Sequence, residues 1–473
     1  MGKFQVSSFK FQKGIKVHLV GIKGVAMTAL AQVLKARGLR VTGSDGPAQF
    51  FTDAILKKLK IKYAQQFSPS NIPKDVDVVI SSAAYLHNGK VLDNVEVEAA
   101  LQKKIPTYTY PEVMAQLTAQ YETIAVTGSH GKSTTSALLA HVLVKCGVNP
   151  TAIIGSRVNS WKANARVGKS KTLVIEADEY REAFLKYSYV GGIITSIDYD
   201  HPDYFKTPAQ YTQAFLKFTK KIPKSGFLVI CGDDHQVAQL GIYARTKKVR
   251  TLSYGFGGNN DIVVREAGVK QQTATKGEPR QLFTVLFNGK RYSGTIPFVG
   301  KQYVLNSGAA FGVAMMLGIE PAKAIAAMAT FSGTARRLET VKKAKDYIII
   351  DDYAHHPTAI NITLEGVRAM YPKRRIVAVF QPHMFSRTQA LLEPFAKSFG
   401  HADEVGIMEI YPSAREKSGP VNGRDLAARA KFYHPRLTYL PTMEAGKQYV
   451  KQRAKNNAVI VLMGAGNVNE LAV

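Results

Sequence analysis

The sequence predicts an α/β protein of three consecutive units, each a mostly parallel sheet flanked by helices. Three observations carry that prediction. Short apolar runs recur along the chain, and each runs directly into polar or glycine-rich residues. Helix-like runs lie between several of them. One such run, Ile124–Thr127, enters Gly128-Ser129-His130-Gly131-Lys132-Ser133-Thr134 and then the helix-like SALLAHVL. A strand, a glycine turn and a helix in that order form an anion site. The glycines let backbone N–H groups approach phosphate oxygens, and the helix N-terminus adds positive potential. Lys132 adds a mobile cation, and the hydroxyl of Ser133 or Thr134 is suited to Mg²⁺. The spacing is G-x-x-G-K-S, shorter than the usual G-x-x-x-x-G-K-[ST], and it still reads as a nucleotide triphosphate loop.

Composition bounds the rest. The 473 residues allow two or three domains, and 45% hydrophobic with 21% charged residues is globular. Cys146 and Cys231 are the only cysteines, which excludes a disulfide framework and fits a reducing cytoplasm. The N-terminal stretch lacks the long apolar core of a signal peptide, and no apolar run is long enough to span a membrane. The formal charge of +28 comes from 63 Lys+Arg against 35 Asp+Glu. The basic residues are scattered, as at 32–38, 57–62, 217–224 and 245–250, with no arm or aromatic-interleaved stripe. That pattern predicts a solvated lysine-rich surface that steers anionic substrates, and no nucleic-acid partner.

The first unit is expected over residues 1–118. Lys16–Gly21 reads as a strand, the stretch from Gly21 to Met27 opens on a G-x-x-G turn, and a helix follows to Ala36, stopped by Gly38. A second strand, Leu39–Thr42, runs into Gly43-Ser44-Asp45, where an acidic residue often binds a ribose hydroxyl. The turn lacks the G-x-G-x-x-G spacing of dinucleotide-binding folds. Val76–Ile80 is a further strand, ending at Ser81-Ser82.

The second unit is expected over 119–333 and contains the phosphate loop. Thr172–Ile175 leads to Glu176-Ala177-Asp178-Glu179-Tyr180, and Gly192–Ser196 leads to Asp198-Tyr199-Asp200-His201-Pro202-Asp203. Acidic residues just past buried strands beside a phosphate loop suit Mg²⁺, which prefers hard oxygen ligands. Residues 226–300 read as a β-rich excursion, and a helix is expected over Tyr303–Leu317.

The third unit is expected over 334–473. Strands at Asp346–Ile350, Arg375–Phe380, Glu404–Met408 and Ala458–Met463 run into Asp351-Asp352-Tyr353-Ala354-His355-His356-Pro357, Gln381-Pro382-His383-Met384-Phe385-Ser386-Arg387, Ile410-Tyr411-Pro412 and Gly464-Ala465-Gly466-Asn467. The paired histidines lie on a turn, without the i,i+4 spacing or cysteine partner of a zinc site, so zinc is not expected there.

Taken together, VGIKGVAMTALAQVL, TGSD, SSAAY, VTGSHGKSTT, EADEY, DYDHPDYF, VLNSGAA, FSGTARRLE, DDYAHHPT, VFQPHMFSRT and GAGN, spread from about residue 17 to 467, resemble the Mur ligase family. The resemblance is strongest to the members that join L-alanine to UDP-N-acetylmuramate. It implies an N-terminal Rossmann-like UDP-binding domain, a central phosphate-loop ATPase domain and a C-terminal Rossmann-like domain that closes over the site. ATP would phosphorylate the lactyl carboxylate of UDP-N-acetylmuramate, and the amine of L-alanine would attack the acyl phosphate, for peptidoglycan precursor synthesis in the cytoplasm.

The resemblance also implies roles. Gly128, Ser129, His130, Gly131, Lys132, Ser133 and Thr134 would cradle ATP, with Asn306 at the adenine and Arg337 and Asp352 reaching it from the third unit. Ser133, Glu176 and His201 would surround Mg²⁺. Tyr353, His355, His383 and Arg387 would line the amino-acid and acyl-phosphate region. Gly21, Gly24, Ser44, Asp45 and Ser82 would hold the UDP group. The family's His-Asn before the adenine position is Gln302-Tyr303 here, and Met384 stands where Arg is frequent. EADEY recurs in the recycling members that add a whole murein tripeptide, whereas QPHMFSRT and YPSAR favour L-alanine. A basic, nucleic-acid-associated ATPase is the reading from a different class, and it lacks any nucleic-acid module. A monomer or homodimer without membrane insertion is expected. Closure implies a hinge near Gly333 and a third unit that stands open before ligands bind.

Overall fold

The computed structural model describes residues 9, 11–87, 90–270, 279–412 and 416–472. Most of the N-terminal stretch before Phe9, part of the 226–300 excursion and Ser413-Ala414-Arg415 of YPSAR lie outside them. Three main sheets follow one another along the described chain.

The first has five parallel strands in the order Lys62–Ala64, Arg40–Ser44, Lys16–Val20, Val78–Ser81, Thr107–Thr109. Its two central strands, Lys16–Val20 and Val78–Ser81, are buried along most of their length, as the middle of a sheet covered on both sides requires. The helix Val25–Ala36 starts at the Gly21–Gly24 turn and packs outward against the central sheet. There Asn164 is fully buried and uses both ends of its amide. Its Oδ1 accepts from Gln32 Nε2 at 2.8 Å, and its Nδ2 donates to the Val25 carbonyl at 2.7 Å. Apolar side chains of the first sheet (Val17, Leu19) are continuous with those of the second (Ala125, Ile175).

The second sheet has ten strands. Its parallel middle is Thr151–Val158, Thr172–Glu176, Glu122–Thr127, Gly191–Ile194, Phe227–Cys231 and Arg250–Gly255. Ile262–Lys270 pairs parallel with Arg250–Gly255, and Arg280–Phe287 and Lys290–Ile296 extend that edge antiparallel. Ala163–Arg166 closes the other edge. The expected excursion over 226–300 therefore differs in kind. Its first half is a regular strand–helix–strand unit around the helix His235–Thr246, and only its second half is a β-meander. Asp234 caps that helix by accepting from the Val237 N–H.

The third sheet has six strands. Tyr347–Asp352, Ala458–Met463, Arg375–Phe380, Glu404–Met408 and Leu437–Leu440 are parallel, with Glu339–Lys343 antiparallel at the edge. Its apolar face is continuous with that of the central sheet and the helix Lys301–Met316.

The structure shows one arrangement, with the third unit docked, and describes the chain at the expected hinge. Gly333 has φ +76° and is buried, and a Cβ there would stand 2.3 Å from Phe298 Cζ. The chain around it is tied to the central sheet: Asn159 N donates to Gly333 O, Ala335 N donates to Arg157 O, and Thr334 bridges Val158. These bonds hold the glycine in its left-handed conformation, and Arg336 and Leu338 are left-handed as well. The third unit is docked on the second, because charged residues at the strand ends of both units pair across the gap, as described next.

Candidate active site

The phosphate loop follows the central strand Glu122–Thr127, and sheet register sets what stands beside it. Glu176 pairs with Val126 on one side, and Ile194 with Thr127 on the other. The loop glycines have no room for a side chain. Gly128 (φ +128°) would place a Cβ 2.2 Å from Thr195 Oγ1, and Gly131 (φ +80°) would place one 2.9 Å from Asn306 Oδ1. Asn306, buried in the helix Lys301–Met316, thus lies against the loop. The loop is bonded to the segment past the neighbouring strand. Ser129 N donates to Ser196 O at 2.9 Å, Ser129 Oγ lies 2.7 Å from Asp198 O, and Thr195 Oγ1 donates to His130 O at 2.5 Å. Lys132 and Ser133 open the helix Lys132–Lys145, and Thr134 is buried in its first turn.

Two groups of donors gather at the helix N-terminus. In the first, Glu176 Oε1 accepts from Ser133 Oγ at 2.9 Å and Oε2 accepts from Gly155 N at 2.6 Å. Burial pushes the Glu176 carboxyl above its usual range against the pull of Lys132. In the second, Asp178, Glu179 and His201 bring a ligand atom each within 4.8 Å of one another. Lys132 Nζ lies between the groups, 3.0 Å from Glu179 Oε2 and 2.5 Å from Gly128 O. Burial would lower the Lys132 pKa, but Glu179, Asp178 and Glu176 hold it raised and the ammonium charged. His201 (φ +57°) stands 3.8 Å from Glu179 Oε1 and packs its ring on Tyr180. It thus sits with Glu179, while Ser133 and Glu176 pair with each other.

The third unit reaches this site from the ends of its own strands. Arg387 Nε and Nη2 donate to Asp200 Oδ1 at 3.0 and 2.8 Å, with both side chains buried. Burial alone would raise the Asp200 carboxyl, but Arg387, then His201 and His355, hold it well below its usual range. Thr358 Oγ1 donates to Asp198 Oδ2 at 2.8 Å. His355 Nδ1–H donates to the Tyr353 carbonyl oxygen at 2.9 Å, and burial, with Arg387 nearby, pushes its pKa well down. Tyr353 is flanked by the guanidinium groups of Arg336 and Arg337 at 5.3 and 5.2 Å. Asp352 is buried and accepts from the N–H groups of Leu338 and Ala354, both at 2.8 Å, so its carboxylate also fixes the chain that carries Arg337. His383 stacks on Tyr411, and Met384 beside it is buried with φ +71°.

In the first unit, Gly21, Ser44 and Ser82 follow or end adjacent parallel strands. Gly21 has φ +82°, and a Cβ there would stand 3.0 Å from Ser82 Cβ. Asp45 accepts from Lys23 N at 2.7 Å and from Gly46 N at 2.8 Å, and Gly24 N donates back to Gly21 O. The Ser44 hydroxyl points elsewhere. It donates to buried Glu96, which also accepts from Asn71 and Ser68 and lies 3.3 Å from His18 Nε2.

Several side chains that sequence reasoning did not single out are integral to this arrangement. Glu179 and Tyr211 are joined at 2.9 Å beneath the loop, Asp200 receives Arg387, and His356 faces His130. The acidic runs EADEY and DYDHPD contained the signal for the carboxylates. Nothing local signalled the histidine pairing.

A phosphate loop, carboxylates at neighbouring strand ends and a third unit docked on them define a nucleotide-binding class of multi-unit α/β protein. Matches to known proteins narrow the class. Residues 16–122 match the Mur ligase family catalytic domain, 126–314 the Mur ligase middle domain and 336–466 the Mur ligase glutamate ligase domain. The UDP-N-acetylmuramate–L-alanine ligase of Desulfitobacterium hafniense is 37% identical over 96% of this chain and 98% of its own. That of Brachyspira hyodysenteriae is 36% identical over 96% of each. The crystal structure of the UDP-N-acetylmuramate–alanine ligase MurC from Thermotoga maritima superposes with a TM-score of 0.78 at 26% identity, covering 97% of each chain. A murein peptide ligase from Psychrobacter arcticus shares the fold, with a TM-score of 0.70 at 22% identity over 97% of each chain. The chain belongs to the Mur ligase family.

Proposed function

We propose that this chain is an ATP-dependent, ADP-forming ligase that joins L-alanine to UDP-N-acetylmuramate in peptidoglycan precursor synthesis. The observation that carries the choice of amino acid is near-full-length identity of 34–37% to several ligases named for that reaction. Among the described residues no helix is long and apolar enough to cross a membrane. A cytoplasmic monomer or homodimer without a nucleic-acid partner fits this reading.

The chemistry follows from what each residue does. A carboxylate resists amines because its leaving group would be oxide; phosphorylation supplies a good one. The backbone N–H groups of Gly128–Gly131 and the start of the loop helix hold the ATP phosphates, with Asn306 against the loop for the adenine. Lys132 exchanges its bond to Glu179 for the β/γ-phosphates, and its raised pKa keeps it cationic for that task. The donors beside the loop fit Mg²⁺. Glu176 is a desolvated carboxylate paired only with hydrogen-bond donors, and Ser133, His201, Asp178 and Glu179 add nearby ligand atoms. Ser133 and Glu176 would hold it beside the loop, with His201 reaching it from the neighbouring Glu179 group, and the bound ion would neutralise charge on the transferring phosphoryl group.

Arg337 and Asp352 complete the ATP site from the third unit. Arg387 and Tyr353, with His355 and His383, line the region where the acyl phosphate meets the amine. His355, held neutral, suits a neutral acceptor for the amine proton. Docking of this unit excludes water, which would otherwise hydrolyse the acyl phosphate. Gly21, Gly24, Asp45 and Ser82 hold the UDP group, while Ser44 acts through Glu96. Positioning and charge stabilisation account for the catalysis, as in other phosphoryl transfers.

The test is a product assay with UDP-N-acetylmuramate and ATP, supplying L-alanine, L-serine, glycine or the murein tripeptide separately. Expected are ADP, phosphate and the L-alanyl product. AMP and pyrophosphate would reject the acyl-phosphate route, and preference for the tripeptide would reject L-alanine.

A further inference from the structure

Besides the two donor groups used above, a third cluster of metal-type donors lies near the phosphate loop. It consists of His130, Asp198 and His356, whose ligand atoms lie within 4.8 Å of one another. His130 Nε2 is 2.7 Å from Asp198 Oδ2, His356 Nδ1 is 3.4 Å from the same oxygen, and the two rings are 5.0 Å apart. Asp198 Oδ2 also accepts from Thr358 Oγ1 at 2.8 Å. His356 is 4% exposed, and neither of its ring nitrogens has a hydrogen-bond partner among the described residues. A buried imidazole with both nitrogens unsatisfied costs free energy unless something else occupies them.

The donor chemistry separates the two groups. Asp178, Glu179 and His201 are oxygen-rich, as Mg²⁺ prefers. Two imidazoles and one carboxylate instead match zinc and its first-row neighbours, with room for water in the remaining positions. Asp198 and His130 are partly exposed, which leaves an entry path for an ion and its waters.

We propose that His130, Asp198 and His356 form a second cation site, selective for a Zn²⁺-type transition metal over Mg²⁺, that ties the phosphate loop to the third unit. His130 lies in the loop itself, Asp198 in the segment bonded to it, and His356 beside the docked strand end of the third unit. An ion held by all three therefore favours the docked arrangement and slows separation of the units.

Co²⁺ provides the probe, because its ligand-field absorption reports imidazole and carboxylate ligation. The full chain is titrated with Co²⁺ in excess Mg²⁺. One equivalent should produce a visible band that Zn²⁺ abolishes. The band should be lost in His356→Gln and in Asp198→Asn, and retained in His201→Ala, which disables the other group. Backbone amide exchange at 128–131 and 353–358 should slow together on Zn²⁺ addition in the wild type and not in His356→Gln. Absence of a band, its survival in both His356→Gln and Asp198→Asn, or its loss in His201→Ala would overturn the assignment. Two variants at the site keep the result readable if one of them folds poorly.

Discussion

Replacing Arg387 with Met and Asp200 with Asn, singly and together, tests whether the contact between the second and third units is a coupled ion pair. At 2.8 Å and an effective dielectric of about 20, the attraction is on the order of 6 kcal/mol. Desolvation of each ion costs several kcal/mol, so the intact pair contributes little net stability. Breaking it is different. Arg387→Met leaves the Asp200 carboxylate buried without its cation, and Asp200→Asn leaves the guanidinium beside His201 and His355. Each single change should cost about 3–5 kcal/mol. The double variant removes both charges, while Asn keeps an acceptor for the His201 N–H that Asp200 Oδ1 now accepts. It should be less destabilised than the sum of the singles by about 2 kcal/mol or more. Urea unfolding followed through Trp161, the chain's single tryptophan, measures this. Trp161 packs against the apolar cluster shared by the two units. Additive effects, or single variants within about 0.5 kcal/mol of wild type, would refute the reasoning.

Lys132→Ala should reduce turnover by on the order of 10³ or more. It should also lower thermal stability, because Glu179 is 1% exposed and loses its cation, and near-normal steady-state rates would sink the phosphate role. Gly128→Ala should abolish ATP binding by calorimetry, since φ +128° and a Cβ 2.2 Å from Thr195 Oγ1 leave the loop no way to keep its shape. Asp200 has a folded pKa well below 3.8, so its contribution to stability is fully present above that value and is lost as pH falls through the lower folded one. Denaturation midpoints measured from pH 6 down to pH 2 should therefore fall more steeply below pH 4 in wild type than in Asp200→Asn; parallel curves would contradict the pairing.

Parallel strands followed by polar residues were legible because their signal is local. Arg375–Phe380, Glu404–Met408 and Ala458–Met463 end where the change from β-branched to polar residues says they should. The helix His235–Thr246 was not read because its weakly amphipathic HQVAQLGIYART sits between two clear strands. The loop glycines were legible by spacing, and the structure adds the neighbours, Thr195 and Asn306, that forbid a side chain. Contacts between units left no local trace. Arg387 and Asp200 are separated by 187 residues, and His356 meets a loop more than two hundred residues earlier. The role of Lys132 was read only in part. Its place on a loop suggested no part in stability, yet its ammonium neutralises a carboxylate buried under that loop. The expected hinge at Gly333 rested on glycine's conformational freedom and on the need to bring separate units together, and the structure adds the hydrogen bonds, from Asn159 and to Arg157, that any such motion would have to strain.

The buried amide of Asn164 has a further consequence. It grips the helix that starts at the Gly21–Gly24 turn by its first residue, Val25, and again one face further along, at Gln32. The first sheet is thereby anchored to the edge of the second at the very helix that shapes its strand-end crevice. The spacing between that crevice and the phosphate loop is then a fixed dimension of the molecule. The two units act as the jaws of a caliper. On the proposed function, a substrate anchored by its nucleotide in one jaw would have to span that gap to reach the other, so changing Asn164 should alter how well substrates of different length are used.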